Sequence, residues 1–222
     1  MKQTVARTHR PQEVRRRNSA ETRATILQAA ERIFAEAGLA GARTDAIAAA
    51  SGVNKAMLYY YFKSKDGLYR AVLEANVEEF HRRAEEVLAG PGSAGAVVLR
   101  YLGHHFDFIS TRPYYARLFQ RLMMAGDRSM ERIVKAHFVP LFRRLVELIE
   151  HGVQSGEFRP MDARHTAISL VGLLVFYFNA APMARKIGNI DVFDPAQQAR
   201  RKEEVLRFIR YALFVNPEVV EQ

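Results

Sequence analysis

The side chains with chemical reach in this chain of 222 residues fall into three groups. The first is Thr44, Lys55, Ala56, Met57, Tyr59, Tyr60, Tyr61, Lys63 and Lys65, cations and tyrosines interleaved with small apolar residues. Ammonium groups beside aromatic rings and small apolar side chains suit a nucleic-acid groove, where cations meet phosphates and apolar atoms meet thymine methyls. The second is Tyr101, His104, His105, Phe108, Tyr115, Phe119, Met123 and Phe142. Aromatic and thioether surface with a few polar tips reads either as ordinary core or as a cavity for an apolar or aromatic ligand. The third is Leu170, Leu174, Phe178, Val205, Phe208, Ile209 and Ala212, apolar residues in two segments near the C-terminus. Leu170 to Phe178 is apolar on every side, and Val205, Phe208, Ile209 and Ala212 recur at helical spacing opposite Arg200, Arg201, Lys202, Arg207 and Arg210. The pair reads as a self-association surface, with an intramolecular core as the alternative.

Other chemistries lack their residues. With no Cys there are no disulfides, thiolate metal sites or Cys nucleophiles, which fits a reducing cytoplasm. His104 and His105 are adjacent, so on a helix they diverge by about 100° and do not share a metal ion. The His104/Asp107 and Glu147/His151 pairs have helical spacing but no second half. No nucleophile elbow, phosphate-binding Gly loop or paired-carboxylate set is found, so neither catalysis, a metal nor a cofactor is expected.

Charge separates the two ends of the chain. Lys and Arg number 33 against 24 Asp and Glu, a net +9. Residues 1–70 hold 13 of those cations and only 6 of the acids. This places a polyanion-binding module first and a near-neutral body after it. Residues 1–18 contain Lys2, Arg7, Arg10 and Arg15 to Arg17 with hardly any apolar residue, and read as a flexible basic arm without the apolar region of a secretory signal. Residues 166–184 carry no charge, but Thr166, Ser169, Asn179 and Pro182 interrupt them; a buried interface helix is expected there, with no membrane as partner.

The elements that must position these groups are helical throughout. The first helix follows a cap at Ser19 and stops at Gly38; a second follows Thr44 and ends at Ser51-Gly52; a third begins at Asn54 and runs through Phe62. Two short helices around a tight Gly turn make a helix-turn-helix, whose second helix can enter a major groove. On the wheel of that helix Leu58 and Phe62 share one face, and Tyr60 points away from them. Further helices are expected from Ser64 to about 88, at 93–111, 113–124, 128–155 with a break at Pro140, 162–184 and 196–215. The fold class is therefore all-α, with about nine helices.

The stretch from Thr44 to Leu68, with Gly52-Val53, Leu58-Tyr59, Phe62 and Lys63-Ser64-Lys65, resembles the DNA-binding signature of the tetracycline-repressor (TetR) family of bacterial transcriptional regulators. The resemblance implies an N-terminal three-helix helix-turn-helix domain over 19–65, after the arm of 1–18, and a helical effector-binding and dimerisation domain over 66–222. By position it implies that Thr44 and Lys65 hold phosphates and that Lys55, Tyr59, Tyr60 and Tyr61 read bases or phosphates, while Ala48, Val53, Leu58 and Phe62 pack the motif. It implies a homodimer on a palindromic double-stranded operator, a small-molecule effector, and usually repression. Asp45 departs from the pattern, standing where some members place a guanine-reading Arg; it could accept from cytosine, orient Lys55, or simply favour the helix dipole. The expected mechanism is that effector among the middle helices shifts the long helix near Asp66. A helical small-molecule binder without DNA binding, and a basic membrane-surface protein, are the alternatives.

Overall fold

The computed structural model describes residues 11–125 and 128–218, apart from the side chains of residues 11–18, 123, 125 and 128–130. Among the described residues all regular structure is helical, and β pairing is confined to one antiparallel bridge between Phe158 and Phe214. The chain divides into two compact units at Val72 and Leu73, inside a helix rather than at the expected boundary of 65 and 66.

The first unit holds α1 (Pro11–Gly41), α2 (Thr44–Ser51), α3 (Lys55–Phe62) and the start of α4 (Lys65–Leu88). Ile26, Ala30, Phe34, Ile47, Leu58, Phe62 and Leu68 form its core, and the Phe34 and Tyr69 rings meet edge to face at 5.0 Å. α1 opens earlier than expected. Pro11 is tolerated in a first turn and Gln, Glu and Arg are good helix formers, so residues 11–18 are helical where an arm was expected, and Ser19 lies inside the helix rather than capping it. The expected arm's residues 1–10 lie outside the described residues. Gly38, at φ 70°, interrupts the helical backbone where the sequence placed the stop.

The second unit comprises the rest of α4 with α5 (Ala94–Ser110), α6 (Pro113–Ala125), α7 (Arg128–Ile133), α8 (Val139–Gln154), α9 (Ala163–Asn179), α10 (Ala181–Gly188) and α11 (Pro195–Leu213). The expected helix 128–155 is divided, because Pro140 occupies the first turn of α8, where its missing N–H costs nothing. A π-helical turn, Val134–Phe138, takes up the register before it, and Val139 N–H donates to Val134 O. The expected helix 162–184 is likewise two, α9 and α10, bent by 66°, with Pro182 in the first turn of α10. Side chains cap α5, α9 and α11: Ser93, Asp162 and Asp194 accept from the N–H groups of Ala96, His165 and Gln197. No single helix among the described residues is long and apolar enough to cross a membrane.

α5 runs through the core, with Val98, Leu102 and Phe106 sealed among α8, α9 and α11. That packing corrects the expected dimer surface. Leu170, Leu174 and Phe178 of α9, and Val205 and Ile209 of α11, are buried within one protomer, Phe178 against Phe106 at 5.1 Å. Of the expected residues Phe208 and Ala212 stay on the surface, with Ile168, Phe176 and Tyr211 exposed as well. A helix that is apolar all round has no period from which to choose its outward face.

Candidate DNA interface and ligand cavity

The helix-turn-helix is built by three local devices. Gly52 ends α2 in the left-handed region at φ 68°, where an L side chain is strained, and its N–H donates to Ala48 O and Ala49 O. The Asn54 side chain then accepts from Met57 N–H at 2.9 Å and starts α3. At the far end the Ser64 hydroxyl accepts from Gly67 N–H at 2.9 Å, and a Cβ on Gly67 would clash with the Phe62 carbonyl oxygen. Leu58 and Phe62 anchor α3 in the core, so the opposite face is outward: Tyr60 is 69% exposed, with Lys55, Ala56 and Tyr59 also exposed.

The other expected contacts are placed unequally. Thr44 is the first residue of α2 rather than its cap; that position belongs to the extended Arg43, an exposed cation the sequence reading passed over. Its signal was its place one residue before a helix N-terminus, where anions are favoured. Met57 is half-buried. Lys63, at φ 65°, closes α3; its ammonium donates to Tyr60 O at 3.1 Å and stands 5.8 Å from the centre of the Tyr60 ring. Tyr61 and Lys65 are half-buried, and both bond within the unit. The Tyr61 hydroxyl donates to Ser19 Oγ at 3.1 Å, tying α3 to α1. Lys65 donates to Ala40 O and Ala42 O at 3.3 and 3.2 Å, answering the carbonyls left free where α1 ends. Asp45 orients Lys55, with Nζ and Oδ1 2.9 Å apart.

In the second unit α4, α5, α6, the π turn, α8 and α9 line a half-open cavity of about 390 Å³. Of the expected residues Tyr101, His105, Tyr115, Phe119 and Phe142 line it. His104 and Phe108 do not: the His104 ring lies parallel to Phe80 at 6.5 Å, and Phe108 packs against Phe80 and Tyr115 with the Arg112 guanidinium 4.1 Å above it. His104 and His105 diverge as neighbours on a helix must, and only the second faces the wall. The side chain of Met123 lies outside the described residues. The reading missed Phe80 and the α9 wall of Ala167, Ile168, Val171 and Val175. The α9 wall could have been found in the uncharged run of 166–184, which was assigned whole to self-association.

Burial sets the protonation of the cavity wall. It pulls the His105 imidazole down to about 3, helped slightly by His104, and pushes the Tyr101 and Tyr115 hydroxyls well above their ordinary value. Imidazole and phenols are thus all neutral near pH 7. Among the described residues no three His, Asp or Glu side chains converge on a possible metal position.

A helix-turn-helix with an outward aromatic and cationic face, followed by a helical unit with an apolar cavity, defines the class of DNA-binding transcriptional regulators. Residues 26–72 match the family described as bacterial regulatory proteins, tetR family, and residues 96–209, half of the chain, match the tetracyclin repressor-like C-terminal domain. The chain belongs to the TetR family. It is 28% identical over 191 residues to the HTH-type transcriptional regulator RutR of Escherichia coli K12, a match spanning 83% of this chain and 86% of RutR. The fold is shared with a TetR/AcrR-family regulator of Thermobifida fusca (TM-score 0.67, 24% identity, 85% of this chain and 96% of that one). It is shared too with FadR of Bacillus subtilis, solved with stearoyl-CoA (TM-score 0.65, 20% identity, 82% and 97%). The partners of such regulators are operator DNA, a small-molecule effector and a second copy of the chain.

Proposed function

We propose that the chain is a repressor, active in the cytoplasm as a homodimer on a palindromic operator, and that a small apolar or aromatic effector in the cavity releases it. The observation that carries this reading is that Phe80, in the cavity wall, belongs to α4, the helix that begins directly after the recognition helix α3. A ligand that displaces Phe80 acts on the element whose other end carries Lys65 and Gly67. The stearoyl-CoA complex of FadR supports ligand binding in this fold. Contact of Lys55, Ala56, Tyr59, Tyr60 and Lys63 with DNA rests on their exposure around one face of α3. Pairing through the exposed Phe176 and Phe208 would set two such helices about 34–36 Å apart, one turn of DNA.

The test is operator binding on the intergenic DNA beside the gene, with and without a ligand shown to occupy the cavity. Release should weaken binding by about 5- to 150-fold. A ligand that fills the cavity and leaves operator affinity unchanged removes the release mechanism.

A further inference from the structure

The cavity wall presents no charged side chain. Among the described residues no Asp, Glu, Lys or Arg lines it; its hydrogen-bonding side chains are Tyr101, His105, Tyr115 and Asn179, and the rest is hydrocarbon. A carboxylate or ammonium drawn to its buried end would surrender its hydration without meeting an opposite charge. At about 390 Å³ the space lies near the lower end of the roughly 300–1,000 Å³ of small-molecule sites, room for a compact ring system.

His105 stands out within that wall. It is 5% exposed, held between the rings of Phe80 at 4.6 Å and Tyr101 at 5.9 Å, and its Nδ1 has no hydrogen-bond partner. Buried polar atoms are nearly always paired; as the ring stands Nδ1 is sealed from the space, but the imidazole lines it, so a ring turned to present a nitrogen there is a group that a ligand can complete. A half-turn of the ring exchanges each nitrogen with a carbon, so either nitrogen can be presented.

Resting on the reading of this cavity as the effector site, we propose that it takes a compact, uncharged ring compound bearing one hydroxyl, and that His105 is the residue that selects for that hydroxyl. A hydroxyl both donates and accepts and so answers either tautomer of a neutral imidazole, whereas a carbonyl answers one. The depressed titration of His105 keeps the imidazole neutral at pH 7, so the wall gains no cation with which to hold an acid.

The test uses the full-length protein and four probes of one shape: 2-naphthol, naphthalene, 2-naphthoate and 2-naphthylmethylammonium, titrated by calorimetry. The expected result is that 2-naphthol binds about tenfold tighter than naphthalene, the effect of one satisfied hydrogen bond, and at least about tenfold tighter than either ion. His105→Phe should close the gap between naphthol and naphthalene, and His105→Gln, which keeps a donor and an acceptor, should restore part of it. An ion binding as tightly as 2-naphthol, a gap that survives His105→Phe, or binding of none of the four overturns the inference. The wild-type comparison stands even if a variant misfolds. Operator affinity measured with 2-naphthol bound separates the two claims. The predicted order of binding with unchanged operator affinity supports the selectivity and removes the effector role.

Discussion

Lys55 Nζ and Asp45 Oδ1 stand 2.9 Å apart, joining the first turn of α3 to the first turn of α2. The hydrogen bond from Lys55 and its positive charge hold the Asp45 carboxyl below its usual range, and Asp45 raises Lys55 in return. Both groups are solvent-exposed, so the pair contributes little to folding, but it does occupy a cation on the face proposed to meet phosphates. Asp45→Asn should therefore leave thermal stability nearly unchanged, tighten DNA binding several-fold at low salt, and steepen the salt dependence by about one released counterion. Fluorescence anisotropy across a salt series checks this. Unchanged affinity and slope would show that Lys55 makes no phosphate contact.

Tyr61 is expected to behave as a structural residue. Its hydroxyl meets Ser19 Oγ, so Tyr61→Phe should cost about 0.5–1.5 kcal/mol of stability. It should leave the ratio of operator to random-DNA affinity as it was. Denaturant unfolding and competition binding read the two quantities separately, and lost selectivity at full stability would return Tyr61 to the interface.

Acid should destabilise the fold through His105. Its imidazole titrates at about 3 when folded against an ordinary 6.5, so between those values the unfolded chain binds the extra proton. More protons on the unfolded state mean that stability falls as pH falls below about 6.5, at up to about 1.4 kcal/mol per pH unit for one such group, and levels off near 3. His104, lowered mainly by partial burial, acts in the same direction. Denaturant midpoints of wild type and His105→Phe at pH 7.5 and 5.5 should show the smaller loss in the variant. Equal losses would place the acid sensitivity elsewhere.

The two faces of α9 should separate assembly from folding. Phe176 is 67% exposed and Phe208 of α11 62%, so Phe176→Glu and Phe208→Glu should give folded monomers whose operator affinity falls by at least tenfold, a loss of avidity. Leu174, fully buried, should instead cost about 2–5 kcal/mol when truncated to Ala. Light scattering beside thermal unfolding distinguishes the outcomes, and a Phe176→Glu dimer of normal affinity would move the interface off this face.

Gly172, in the middle of α9 and on the cavity wall, offers a check on stability in the ligand-free protein. A Cβ added there meets no atom within 4 Å, so Gly172→Ala should stabilise the helix by roughly 0.5–1 kcal/mol. A lowered melting temperature would mean that the space beside it is needed.

The helix-turn-helix was legible because each of its devices is local: a Gly that must go left-handed, an Asn three residues before the N–H it caps, and Leu58 and Phe62 one turn apart. Such features act within a few residues and leave their mark in the order of types. The hydrogen bonds of Tyr61 and Lys65 depend on partners 42 and 23–25 residues away, which no local pattern records. The same limit hid the α9 wall of the cavity, whereas the break before α8 was legible because Pro140 marks it locally. His105 was legible as a polar group among aromatics and as diverging from His104, but which of the two faces the cavity followed only once the direction of α5 was known.

The central claim is that the outward face of α3, with Tyr60 at its centre, reads DNA bases. The most direct measurement is competition binding of wild type and Tyr60→Ala to the intergenic DNA and to a scrambled duplex of equal length and composition. The account predicts sequence-selective binding by wild type, and in Tyr60→Ala a selectivity reduced by about tenfold with affinity for scrambled DNA and thermal stability largely retained, because base contacts specify while phosphate contacts hold. Selectivity unchanged in Tyr60→Ala, or no preference for the intergenic DNA by wild type, would contradict it.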